Sequence, residues 1–204
     1  MAIADGLTTT CTNIQSSGGI QTVFIREWNS TGTPDQIATL GTGTITSIAD
    51  SGGTNSTWGV YETKIETPVL SVTGASVGNA NTYECNLTFN LPQLDLARRN
   101  SITDLQGKCL QVMMLDTNGT YFVIGISGTL TGGDGGLDLA AASHIGTRPQ
   151  TFARLSAVEG GTGAAFSDET GLNVTLTCTQ YELPRTYTGG TPSISATGLV
   201  ATVS

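Results

Sequence analysis

The sequence predicts an all-β fold with one short helix, arranged as a β-sandwich or half-barrel. Three observations carry that reading. Residues 83 to 91 (YECNLTFNL) alternate apolar and polar side chains, and a strand with period two turns Tyr83, Cys85, Leu87, Phe89 and Leu91 to one face and Glu84, Asn86, Thr88 and Asn90 to the other. Residues 172 to 179 repeat the pattern, with Leu172, Val174, Leu176 and Cys178 on the apolar phase. Thr is abundant and Gly contributes 27 of the 204 residues, which suits strands joined by tight turns better than helices. The two alternating strands predict a shared core of Tyr83, Leu87, Phe89, Leu172, Val174 and Leu176.

In chain order, residues 1–20 are rich in Thr, Ser and Gly and read as a polar N-terminal arm. Residues 21–127 read as β-hairpins. Within them, 21–28 form a strand, 37–48 a weakly β stretch, and 56–66 and 68–75 two further strands leading to the one at 81–91. Leu94, Leu96, Ala97, Ile102 and Leu105 recur at helical spacing, so a helix is expected near 94–106, stopped by Gly107. Asn118-Gly119 between the apolar runs 108–116 and 120–126 is a hairpin signal, because both residues tolerate the positive φ of a tight turn. Residues 128–162, with GGDGG at 132–136, read as a long Gly/Ala-rich excursion. A returning strand region is expected over 163–183, then a C-terminal arm over 184–204 with a weak strand at 198–203. All of this fits a single β domain.

The chain has a hydrophobic fraction of 38%, enough apolar surface to offset the entropy of ordering. Sixteen acids against eight bases give a formal charge of -8, which disfavours a broad phosphate-binding surface. The first residues carry no basic, apolar leader and no stretch is long enough to span a bilayer, so the expected compartment is the cytoplasm or a particle assembled there, without membrane contact. Cys11, Cys85, Cys109 and Cys178 have no CxxC spacing and read as buried free thiols, with neither disulfide nor metal.

No catalytic constellation emerges, so no enzyme, cofactor or small-molecule substrate is expected. The single histidine, His144, sits in the excursion without a partner suggested by spacing. Asp116-Thr117-Asn118-Gly119 opens like a calcium loop, but the later bidentate acid is missing and a hairpin explains every residue. Asp134 lies among glycines that need no ion, and the glycines at 160, 161 and 163 lack the Lys-Ser/Thr pair of a phosphate loop. Arg98 and Arg99 read as an exposed helix face making interface ion pairs, and the Asn-x-Ser/Thr triplets are silent in a chain without a secretory leader.

The order of elements resembles the tail-tube (major tail) and related virion structural proteins of tailed bacteriophages. The resemblance rests on the hairpin at 68–91, the helix near 94–106, the run Leu115-Asp116-Thr117-Asn118-Gly119-Thr120-Tyr121-Phe122 with Gly125 after it, Gly161-Thr162-Gly163-Ala164, Asp168, Gly171-Leu172 and Tyr181-Glu182-Leu183-Pro184. It covers roughly residues 60 to 185. The resemblance implies a hexameric ring whose hairpins join into a barrel around a lumen, rings that stack into a DNA-conducting tube, other virion proteins as partners, and residence in the virion. Under it, the polar faces of the 56–66 and 81–91 strands are the expected lining, with Glu62, Glu66, Glu84, Asn86 and Thr88 toward the lumen. Such an acidic wall would let DNA slide without sticking. The alternative within this reading is a capsid decoration, accessory, connector or collar protein.

Overall fold

The structure, a computed structural model, describes residues 19–27, 39–41, 44–47, 58–64, 67–77, 80–92, 95–125, 152–161, 170–180, 182–194 and 200–202. It is mainly β with one short helix, as the alternation and composition indicate. The strands are β1 (Ile20–Glu27), β2 (Thr39–Gly41), β3 (Thr44–Ser47), β4 (Trp58–Glu62), β5 (Val69–Val77), β6 (Ala80–Pro92), β7 (Leu110–Asp116), β8 (Tyr121–Ile124), β9 (Arg154–Gly161), β10 (Gly171–Gln180), β11 (Arg185–Tyr187), β12 (Ser193–Ile194) and β13 (Val200–Thr202); helix α1 (Leu96–Leu105) lies between β6 and β7.

Two sheets result. A nine-stranded sheet runs β12-β13-β4-β1-β7-β8-β11-β3-β2, and a four-stranded sheet runs β5-β6-β10-β9. Among the described strands every pairing is antiparallel except β11 with β3. The sheets share one core. Val23 and Ile25 from β1, Val112 and Met114 from β7 and Ile124 from β8 pack with Cys85, Leu87, Phe89 and Leu91 from β6 and Val174, Leu176 and Cys178 from β10. A second cluster, Phe24, Ile45, Trp58, Met113, Val123 and Tyr187, occupies the opposite face of the large sheet. Arg26 on that face is buried because it donates to Gln111 Oε1 at 2.6 Å and lies over the Trp58 ring at 4.7 Å.

The helix begins where Asp95, in extended conformation, accepts the Arg98 backbone N–H at 2.7 Å, and it ends at Gln106 before Gly107 at φ 73°. Arg98 also pairs with Asp95, so this arginine serves the cap. Only Ile102 and Leu105 of the helix are buried, and Leu96 is 69% exposed. The turn after β7 is built by Asp116, whose Oδ1 accepts the backbone N–H groups of Asn118 at 2.9 Å and Thr120 at 2.7 Å, while Gly119 takes φ 81°. That carboxylate holds the hairpin turn together.

Three expectations are corrected. The excursion does not run unbroken to 162, since Arg154–Gly161 is strand β9, paired along β10. The C-terminal arm is also not wholly separate. Arg185–Tyr187 joins the large sheet between β8 and β3, and burial of Arg185 is offset by two bonds from its guanidinium to Glu182, at 2.8 and 2.7 Å. Tyr83, expected in the core, is half-buried and lies over its cross-strand partner Gly74, past the end of the packed cluster. The other five behave otherwise: Leu87, Phe89, Val174 and Leu176 are fully buried in that cluster, and Leu172 packs against it half-buried. Cys85 and Cys178 are buried and Cys109 half-buried, all three as free thiols; Cys11 lies outside the described residues.

Candidate functional site

The site with the most defined geometry is the outward face of the four-stranded sheet together with its two edges. The β6–β10 ladder is in register over ten pairs, from Gly171 opposite Pro92 to Gln180 opposite Tyr83. Apolar pairs Leu87–Leu176 and Phe89–Val174 therefore alternate with polar pairs Glu84–Thr179, Asn86–Thr177, Thr88–Thr175 and Asn90–Asn173. Two of these polar pairs bond across the ladder. The Thr88 and Thr175 hydroxyls are 3.3 Å apart, and Asn90 Nδ2 donates to Asn173 Oδ1 at 2.8 Å. Asn86 Nδ2 donates to Glu84 Oε1 at 3.2 Å along the strand. β5 extends this face with Ser71 opposite Asn86 and Thr73 opposite Glu84, and β9 extends it with Glu159 opposite Asn173.

The four strands carry three charged residues, Glu84, Glu159 and Arg154, all exposed. The face is thus mostly neutral hydroxyl and amide, with two carboxylates and one guanidinium, and less acidic than the sequence suggested. Glu84, Asn86 and Thr88 share it as expected. Glu62 does not. It follows Trp58 and Val60 on the alternate phase of β4, in the large sheet, and that phase faces away from the small sheet while Tyr61 packs inward against Phe89 with ring centroids 6.3 Å apart. Glu62 and Glu84 cannot line one wall of a single subunit. Glu66 lies outside the described residues, as do His144 and Asp134.

Both edges of the small sheet are open among the described strands. β5 has β6 on one side only, β9 has β10 on one side only, and the successive antiparallel pairings make β5 and β9 run in opposite directions. β5 is nine residues long without a charge or proline, and Val69 is 58% exposed. Such an edge is a template for another strand. Beside it a slot of about 690 Å³ opens between the sheets, lined by Ile20, Leu70, Val72, Phe122 and Leu183 among others.

The β9 contribution had a signal in the sequence, but a broken one. Leu155 opposes Leu176 and packs against the core, and Val158 opposes Val174 on the same phase but stays exposed at the sheet edge; the two are three residues apart because Ser156 is an extra residue at a bulge, where its hydroxyl donates to Thr175 O at 3.0 Å. Among the described residues no cluster of three His, Cys, Asp or Glu side chains is placed to hold a metal, and no helix is long and apolar enough to cross a membrane. The chain matches no protein-family model, no curated protein and no solved structure.

Proposed function

We propose that this chain is a structural, self-assembling subunit without enzymatic activity, whose copies join through the edges of the small sheet into a ring, and whose rings stack into a conduit of the bacteriophage tail-tube type. The observation that carries the reading is the four-stranded, strictly antiparallel sheet with two free edges of opposite direction. A rotation about a ring axis keeps each strand's direction relative to that axis. Placing β9 of one copy beside β5 of the next therefore makes another antiparallel pair, and the sheet continues around the ring with no edge left over. Its apolar face already belongs to the core and its polar face is left for the lumen. The slot along β5 is apolar surface that such a neighbour would cover.

A wall of paired Thr and Asn side chains with few charges supports passage of DNA. Thr88 bonds Thr175 and Asn90 bonds Asn173 across it, and its single guanidinium, on Arg154, is outnumbered by the Glu84 and Glu159 carboxylates, so it offers few cations to displace counterions from phosphate and make the polymer stick. Assembly in the host cytoplasm, a hexameric ring and other virion proteins as partners belong to the same reading. The second reading, a capsid decoration or connector protein, is favoured by one observation: Glu62 and Glu84 face opposite ways, so these two carboxylates do not converge on one surface.

The test is a cross-link between edges. Thr73→Cys on β5 and Glu159→Cys on β9 lie on opposite edges of one subunit, so a short bis-maleimide should link copies into a ladder ending at a closed ring. A product confined to single chains would count against edge-to-edge assembly.

A further inference from the structure

The inward face of the small sheet holds a chemical group that assembly does not use. Cys85 on β6 and Cys178 on β10 are direct partners in the ladder, so their side chains leave the same face side by side, at 0% and 4% exposure. Residues directly opposite on antiparallel strands have Cα atoms about 4.5–5.5 Å apart, inside the span of about 4.4–6.8 Å that a disulfide bridges. We propose that Cys85 and Cys178 are a dithiol that hydrogen peroxide closes to an intramolecular disulfide, stapling together the two central strands of the small sheet.

The surroundings give the two sulfurs different roles. The Cys178 S–H donates to the Cys85 sulfur, which holds the Cys85 thiol below its ordinary value against burial and the nearby Glu84 charge. The same contact, with burial, pushes Cys178 up. Gln180 Oε1, 3.8 Å from Cys178 Sγ, is a second acceptor for that proton and is itself fixed by the Gly125 N–H at 2.9 Å. Cys85 is therefore the nucleophile. Its thiolate attacks one peroxide oxygen, the O–O bond breaks, and the departing hydroxide takes a proton to become water, leaving Cys85 as the sulfenic acid. The Cys178 sulfur then attacks the Cys85 sulfur. The S–S bond forms, the S–O bond breaks, and the hydroxyl leaves with the Cys178 proton as a second water. Two thiols lose two electrons in all, and one peroxide gains them.

The reduced full chain is treated with millimolar hydrogen peroxide, denatured and alkylated without reductant, and read by intact mass and peptide mapping. The expected result is two fewer alkylated thiols than in the untreated chain, one linked peptide pair containing Cys85 and Cys178, and an unfolding midpoint raised by about 5–10 °C and restored by dithiothreitol. A Cys109→Ser variant, which keeps the pair, should respond in the same way. Both thiols remaining alkylatable, Cys85 gaining two or three oxygens without a link, a link between chains, or a link to Cys109 or Cys11 would each overturn the proposal.

Discussion

The hydroxyls of Thr88 and Thr175 meet 3.3 Å apart across β6 and β10, on the side of the small sheet turned away from the core. They sit midway along a column of polar cross-strand pairs, next to the Asn90–Asn173 pair, which is also bonded across the ladder. A sheet face of this kind presents a continuous, nearly neutral surface.

Charge reversal on this face tests its part in conduction. Replacing Glu84 and Glu159 together with Lys should leave the fold intact, because both are exposed. It should also give the protein DNA binding that weakens with salt, with a log–log slope of roughly -0.9 per phosphate neutralised. Glu62→Lys, on the opposite side of the molecule, should produce no binding inside an assembled tube. Electrophoretic mobility of a DNA fragment across a salt series reads both.

Core truncations should rank by burial. Phe89→Ala should cost about 3–5 kcal/mol and Leu176→Ala about 2–5 kcal/mol, since each side chain is fully buried where the two sheets meet. Tyr83→Ala should cost less than either, because Tyr83 covers Gly74 at the sheet's end and not the packed cluster. Denaturant midpoints would show an inverted order if the faces were assigned wrongly.

Stability should fall in alkali through Tyr61. Burial foremost, and then the Asp104 carboxylate, push its phenol up to about 12 from an ordinary value of 10.0. A folded-state value above the unfolded one means the fold favours the protonated phenol, so that stabilisation is complete below pH 10 and is lost as pH rises toward 12. Tyr121, raised by burial and by Tyr187, adds to the same trend. Tyr61→Phe should flatten the decline between pH 10 and 12 in thermal melts; an unchanged slope would remove Tyr61 as its cause.

Gly125 should tolerate no side chain. It takes φ 81° where β8 ends, and a methyl there would lie 2.5 Å from the Leu110 carbonyl oxygen and 2.9 Å from the Ala153 nitrogen, the two residues that bond each other across this point. Gly125→Ala should therefore lose more than the roughly 1–3 kcal/mol of backbone strain alone, while Gly119→Ala, with open space around it, should lose only the strain.

The central strands were legible because nothing interrupts their phase. Leu87 opposes Leu176 and Phe89 opposes Val174 without a bulge, so two segments far apart in the chain show the same clean alternation. β9 was hidden because Ser156 shifts the phase between Leu155 and Val158, and an alternation that restarts midway reads as none. β11 was hidden because Arg185 looks like a surface residue until Glu182 is seen to neutralise it. Glu62 was misplaced for a different reason. Alternation tells which side of its own strand a residue occupies, and not which sheet that strand joins or which way the sheet faces.

The central claim, that copies assemble edge to edge into rings, is tested most directly by negative-stain electron microscopy of the purified full chain across a concentration series. The account predicts rings or tubes of one diameter with a stain-filled central channel, lost when β5 is interrupted by Val72→Pro in a variant whose circular dichroism shows it still folded. Monodisperse single subunits at every concentration, from a chain that is folded by the same criterion, would contradict it.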